Sequence, residues 1–385
     1  VWQPRRRIDA CLIDIVGSKR LQMKYASEFR QGRLASGLIE KIKRSSRTPV
    51  NFMEFCGSHT VSIFRYGIRQ VLPETVTTLS GPGCPICVTA NADLDRAIAL
   101  AQIPNVIVAS FGDVLRVPGS FTSLQAVRAE GADVRVIYSA MDAIKIAEDN
   151  PNKQVILLGI GFETTTPTIA ASIVQAKQEN LDNFSVLSWH KLTPPAMKAL
   201  LDAGDVALDG LICPGHVSII TGSQAWEFIA RDYGIPCVVA GFEPLDILQC
   251  IDMLVTQAEN GEAKVEIAYT RGVQHEGNTV AQRLMSQVFE PCPAQWRGMG
   301  TIPDSGLKLR EEFSSFDAER VFDIDPGPTR EPKGCICGEV LRGVKTPIDC
   351  PLFGRTCTPE SPVGACMVSS EGSCFTYHLY GGKNA

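Results

Sequence analysis

Between residues 50 and 262, short apolar β-branched runs alternate with amphipathic segments of helical period, and this alternation constrains the fold more than any other feature. The strand candidates are Val50–Phe55, Thr75–Leu79, Val106–Ser110, Val134–Tyr138, Val155–Gly159, Phe184–Ser188, Gly210–Ile212 and Pro236–Ala240. Helical stretches fall between them, among them Ala92–Gln102, Ala140–Asp149, Pro167–Asn180, Pro195–Ala203, Gln224–Tyr233 and Pro244–Glu259. Such alternation is the pattern of βαβ units and predicts an α/β fold of mostly parallel sheets with helices on both faces. Eight strands make one large sheet or two small ones, and the turn chemistry of Asn150-Pro151-Asn152 midway favours two. The expected layout is one parallel-sheet domain up to residue 150, a second over 151–262 facing it across a cleft, and an irregular domain over 263–385. In this last part Lys264–Tyr269 reads as an edge strand and Asn278–Phe289 as a helix, while Pro291 to Lys333 is rich in Pro, Gly and charge.

The strand ends are chemically loaded. Cys56-Gly-Ser-His59-Thr60 comes after the first strand, Gly81-Pro-Gly-Cys84-Pro-Ile-Cys87 after the second and Phe111-Gly-Asp113 after the third. Later strands lead into Gly161-Phe-Glu163-Thr-Thr-Thr166, His190, Cys213-Pro-Gly-His216-Val-Ser218 and Gly241-Phe-Glu243-Pro. Strand carboxyl ends are where open α/β sheets place ligand sites. Each residue also has a plainer reading. Cys56 is either a core thiol beside a helix cap or a thiolate near His59; Glu163 and His216 either cap helices or line a site. Cys84 and Cys87 form a C-x-x-C in a Gly-Pro turn, which suits a redox disulfide, half a zinc site or a pair of iron ligands.

Six of the fourteen cysteines lie between residues 335 and 374. A chain of 385 residues has core enough without disulfide staples, so thiols at this density point to a soft metal or to electron transfer. Cys337, Cys350, Cys357 and Cys374 supply four sulfurs, enough for one [4Fe–4S] cluster or one tetrahedral zinc. Their spacing lacks the tight knuckles of zinc ribbons. Cys335 and Cys366 are left as a surplus dithiol, which a structural zinc does not need and an electron-passing cluster does. Cys335 stands two residues from Cys337 and could reach the same iron in its place.

Composition excludes other classes. A formal net charge of −5 argues against a nucleic-acid surface, which needs a clustered basic excess. No apolar run approaches the ~20 residues that span a bilayer, and the longest, Val155–Phe162, is broken by glycine. Arg5–Arg7 followed by Ile8–Val16 imitates a signal peptide, but two aspartates interrupt the apolar part. A reducing, cytoplasmic setting is therefore expected. There, clustered cysteines signify metal or catalysis.

Taken in order, Cys56-Gly-Ser-His-Thr60, Gly81-Pro-Gly-Cys-Pro-Ile-Cys87, Phe111-Gly-Asp113, Gly161-Phe-Glu-Thr-Thr165 and Pro214-Gly-His-Val-Ser218 resemble the HypD family of [NiFe]-hydrogenase maturation factors. So do Cys337-Gly-Glu-Val-Leu341, Cys350-Pro-Leu-Phe-Gly354 and Met367-Val-Ser-Ser-Glu-Gly372. The resemblance runs from about Met23 to Tyr380 and leaves residues 1–22 as an N-terminal extension. It departs at Ser58, where the family usually has Thr, and not every relative carries Cys335 and Cys366. It implies a scaffold on which the Fe(CN)2CO group is assembled with HypC, which shares the iron, and HypE, which delivers cyanide. HypC would link it transiently to the hydrogenase large subunit. By the same likeness Cys56 would hold the iron, Cys84 and Cys87 would be further ligands or a neighbouring dithiol, and His59, Glu163 and His216 would line the cleft. Cys337, Cys350, Cys357 and Cys374 would carry the cluster, with Cys335 and Cys366 as redox pair. The rivals are a stand-alone iron–sulfur thiol-disulfide oxidoreductase and a zinc-stabilised binding module.

Overall fold

A computed structural model describes residues 27–381; the expected extension over 1–22 lies outside the described residues. Nine of its strands form two parallel sheets, and all eight strand candidates are present within two residues of their expected ends. One sheet has the order β2-β1-β7-β8-β9, from Val76–Ser80, Val50–Glu54, Gly210–Pro214, Cys237–Ala240 and Val265–Ile267. The other has the order β4-β3-β5-β6, from Asp133–Val136, Val106–Ser110, Gln154–Gly159 and Phe184–Ser188. The expected division at residue 150 is corrected by this pairing. Strands on either side of Asn150 belong to one sheet, because β3 pairs with β5 from Val106↔Gln154 to Ala109↔Leu157. Likewise β1 pairs with β7 from Phe52↔Gly210 to Glu54↔Ile212. The four-stranded unit is thus inserted between β2 and β7. The reason is that a turn such as Asn150-Pro151-Asn152 ends a helix equally well inside a βαβ unit as between domains.

Alternate residues of each strand face opposite layers. On the four-stranded sheet Ile107, Val155, Leu157 and Val186 pack under helices Ala140–Asp149 and Thr166–Gln178, while Val106, Val108, Ile156 and Leu158 pack against Asn91–Ala101. On the five-stranded sheet Phe52, Ile212 and Val238 meet helices Gly57–Arg65 and Pro244–Asn260. Its opposite face, with Met53, Leu211, Cys213 and Val239, is covered by Met197 and Leu200 of helix Thr193–Ala203 and by Cys84, Cys87, Cys337 and Cys366. That layer holds the thiols.

The region after residue 262 also differs from expectation. Helix Thr279–Val288 leads into an antiparallel hairpin of β10, Phe289–Trp296, and β11, Gly300–Leu309. Val288, Phe289, Leu307, Leu309, Phe313 and Phe316 complete the core of the four-stranded sheet, so only the chain from about Cys335 forms the irregular thiol-bearing part. Pro291 and Pro293 conceal β10 in the sequence. A two-stranded ribbon tolerates them, because each strand has a free edge, and the ladder shifts register between Cys292 and Ala294. Segment Gln224–Tyr233 forms a 3-10 turn over Ser223–Trp226 and a π turn over Ile229–Tyr233, not one α-helix. Among the described residues no helix is long and apolar enough to cross a membrane.

Candidate thiol and metal site

Cys56 stands two residues beyond β1 and occupies the cap position of helix Gly57–Arg65. Its thiol is 7% exposed. Burial pushes it up to about 12, and the Glu371 carboxylate adds to the effect, while the backbone N–H groups of Ser58 and His59 oppose it. The C-x-x-C turn lies directly against it. Gly57 N donates to Gly83 O at 3.0 Å, and a side chain at Gly83 would overlap the Cys56 backbone, so only glycine permits the approach. Cys84 and Cys87 are joined as a disulfide across a Cα separation of 5.2 Å, and both are buried.

His59 is fully buried. Its Nε2 reaches two carbonyls, Gly241 O at 3.0 Å and Ala240 O at 3.3 Å. Carbonyls only accept, so Nε2 carries the proton and Nδ1 keeps a lone pair, buried and without a partner among the described residues. Burial pulls the imidazole down to about 4, which keeps it neutral. His59 and His216 both stack on Phe242, at 4.7 Å and 3.9 Å between centroids. Glu163 stands elsewhere, beyond β5: its carboxylate accepts from Thr193 N at 2.7 Å and Thr193 Oγ1 at 3.2 Å, capping helix Thr193–Ala203. Burial raises it to about 7. Both of its carboxylate oxygens are thereby committed to Thr193, which is the plainer of its two expected readings.

All six tail cysteines line one cavity, with Ile336, Val340, Leu352, Phe353 and Met367 as its apolar wall. Short elements deliver them: Cys337 opens helix Cys337–Leu341, Cys366 sits in turn Ala365–Met367, and Cys374 lies in the first turn of helix Ser373–Tyr380. The sulfurs of Cys337 and Cys366 lie 2.8 Å apart. Cys335 lines the same cavity and hydrogen-bonds with Cys337. Hydrogen bonds from Cys335 and Cys366, with the Arg297 guanidinium nearby, hold the Cys337 thiol well below its ordinary value, while the thiols of Cys335 and Cys366 are raised. Among the described residues no three His, Cys, Asp or Glu side chains are grouped around a single metal ion. Six soft sulfurs in one apolar wall fit an iron–sulfur cluster by donor type, although the side chains close on a space of about 10 Å³.

These parts adjoin. Turn Ala365–Met367 packs on Pro85–Val88, and Cys84, Cys87, Cys337 and Cys366 share one apolar cluster. Ser58 Oγ donates to Glu371 Oε1 at 2.5 Å, and Tyr377 packs on Phe64 at 4.4 Å between centroids. Cys56, the disulfide and the tail thiols therefore adjoin in one region, with His59 on the helix that Cys56 caps and His216 joined to it through Phe242. Two contributors are not singled out by the sequence. Phe242 is visible there only as part of the second Gly-Phe-Glu, and Glu371 only as part of Met367–Gly372.

Residues 33–381 match the HypD family model, described as the hydrogenase formation hypA family. The chain is 48% identical over 369 residues to hydrogenase maturation factor HypD of Cupriavidus necator, across 93% of this chain and 97% of that protein. It is 49% identical over 368 residues to the HypD of Azotobacter vinelandii, across 93% and 97% respectively. It is 46% identical over 375 residues to that of Rhodobacter capsulatus, across 94% of this chain and 100% of the relative.

Proposed function

This chain belongs to the HypD family of hydrogenase maturation factors, and on that premise we propose that it is the scaffold on which the Fe(CN)2CO group of a [NiFe] hydrogenase is assembled with HypC and HypE. One observation carries the reading: Cys56, the Cys84–Cys87 disulfide and the tail cysteines meet in one region although they are far apart in sequence.

The iron is cargo, and cysteine sulfur suits a low-spin iron bearing cyanide and carbonyl. Cys56 holds its proton while buried, so it binds iron only by giving that proton up. His59 carries its proton on Nε2 and offers Nδ1 as a lone pair, a neutral acceptor behind the thiol. His216, on the far side of Phe242, shares that aromatic support. The Cys84–Cys87 disulfide must take two electrons and two protons to become two thiols. A [4Fe–4S] cluster held by Cys337, Cys350, Cys357 and Cys374 would supply such electrons one at a time. Cys335 and Cys366 flank Cys337, on the side from which thiols continue toward the C-x-x-C turn.

A second reading, a stand-alone iron–sulfur thiol-disulfide oxidoreductase, draws on the same disulfide. Infrared spectra of the anaerobic complex with HypC separate the two. The scaffold gives bands in the CN and CO stretching regions, and Cys56→Ala loses them while the cluster absorbance remains. Unchanged bands in Cys56→Ala make Cys56 a core thiol and defeat the proposal.

A further inference from the structure

A cavity of about 180 Å³ opens at the carboxyl end of β6, beneath the β10–β11 hairpin, with Asp93, His190, Lys191, Cys292, Asp317 and Glu319 in its walls. Open α/β sheets receive ligands at this edge, yet none of these residues takes part in the scaffold reading. Lys191 is 3% exposed, and its ammonium has one partner among the described residues, Asp93 at 3.4 Å. A buried ammonium with three protons and one long contact lacks acceptors.

His190 is also buried and incomplete. Ser188 Oγ spends its single proton on Leu307 O at 2.7 Å, so in its 3.0 Å contact with His190 Nδ1 the imidazole donates. Nε2 is then a bare acceptor, buried without a partner among the described residues. Asp317 accepts the Glu319 N–H at 3.1 Å and has the Arg320 guanidinium no nearer than 3.9 Å, and burial raises its carboxyl. Arg96 is spent on Glu319 at 2.8 Å and Asp93 at 3.6 Å. The wall thus keeps one spare cationic donor, Lys191, and one spare carboxylate, Asp317, with charges of both signs in near balance. A plain anion meets Asp317 and Glu319, and a plain cation meets Lys191. A small zwitterion satisfies both ends.

We propose that this cavity binds a small α-amino acid, its carboxylate on Lys191 and its ammonium on Asp317. The volume, room for about six waters at ~30 Å³ each, suits glycine, alanine or serine. Cys292 stands in the same wall and reports occupancy without any substitution.

The test is the rate at which iodoacetamide, a neutral reagent, alkylates Cys292 in the full chain, resolved by peptide mass spectrometry. Saturating L-alanine is expected to slow it at least threefold, whereas equal concentrations of acetate or methylamine leave it within a factor of about 1.5, these factors being order-of-magnitude thresholds for a thiol occluded by a bound ligand. Lys191→Met and Asp317→Asn, each checked for an unchanged urea midpoint, should each lose the protection. The two variants act on opposite ends of the ligand, so either one suffices if the other fails to fold. Equal protection by acetate, no protection by L-alanine, or protection surviving in a folded variant overturns the proposal. These outcomes leave the hydrogenase reading untouched, since none involves Cys56 or the tail.

Discussion

Cys337 lies between Cys335 and Cys366, which favours it over these neighbours as the proposed cluster ligand. The sulfur that accepts hydrogen bonds from both is the one already closest to thiolate, the form a metal takes. Cys337→Ala should therefore lose iron and sulfide, while Cys335→Ala keeps both; the opposite pattern in elemental and sulfide analysis exchanges their roles. Glu163 makes a different prediction. Its carboxyl rises from 4.5 to about 7 on folding, so between those values the folded state binds more protons than the unfolded one. Its contribution is present below about 4.5 and is lost as pH rises through about 7. His59 works the other way, drawn from 6.5 down to about 4, and masks part of this trend in the wild type. Comparing Glu163→Gln with wild type isolates it: the variant should gain in relative stability by urea unfolding between pH 5 and pH 8. A pH-independent difference would show that the carboxyl is not perturbed. Sequence disclosed these residue types because strand ends advertise their chemistry. It did not disclose that Phe242 is shared by two histidines, since that contact joins three separate strand ends and no spacing records it.

At the scale of elements, parallel strands were legible because each is a short, nearly uninterrupted apolar run between helices. The hairpin was not, because Pro291 and Pro293 break the only signal that β10 has. A tight turn gives a prediction at this scale. Gly83 touches the Cys56 backbone, so Gly83→Ala forces the C-x-x-C turn and the β1 end apart. Overpacking of this kind costs typically about 1–3 kcal/mol. Urea unfolding should show that loss, with Gly37→Ala as control. Gly37 lies in helix Gly32–Ser45 with nothing within 4 Å of a new Cβ, and alanine there should stabilise by up to about 1 kcal/mol. Equal behaviour of the two variants would mean that the turn yields freely.

For the molecule as a whole, the chain leaves the five-stranded sheet after β2, builds the four-stranded one and returns at β7. A cut at residue 150 therefore divides both sheets. A fragment of residues 1–150 holds only β1, β2, β3 and β4, two strands of each, and should unfold without a cooperative transition in urea. A sharp transition comparable to that of the full chain would contradict the interleaved topology. The sequence showed how many parallel strands there are but not which ones pair. Every βαβ unit is locally alike, and the choice of neighbour is made by core contacts such as Leu211 with Met53, which no local pattern encodes.

The insertion also sets an order of events during synthesis, which proceeds from the N-terminus. The inserted sheet has all its strands by Ser188, whereas the sheet carrying Cys56 still awaits Gly210–Pro214, Cys237–Ala240 and Val265–Ile267. Glu371, whose carboxylate takes the Ser58 hydroxyl beside Cys56, emerges later still. On the ribosome, then, the neighbourhood of Cys56 is roofed over late, only once Glu371 has emerged.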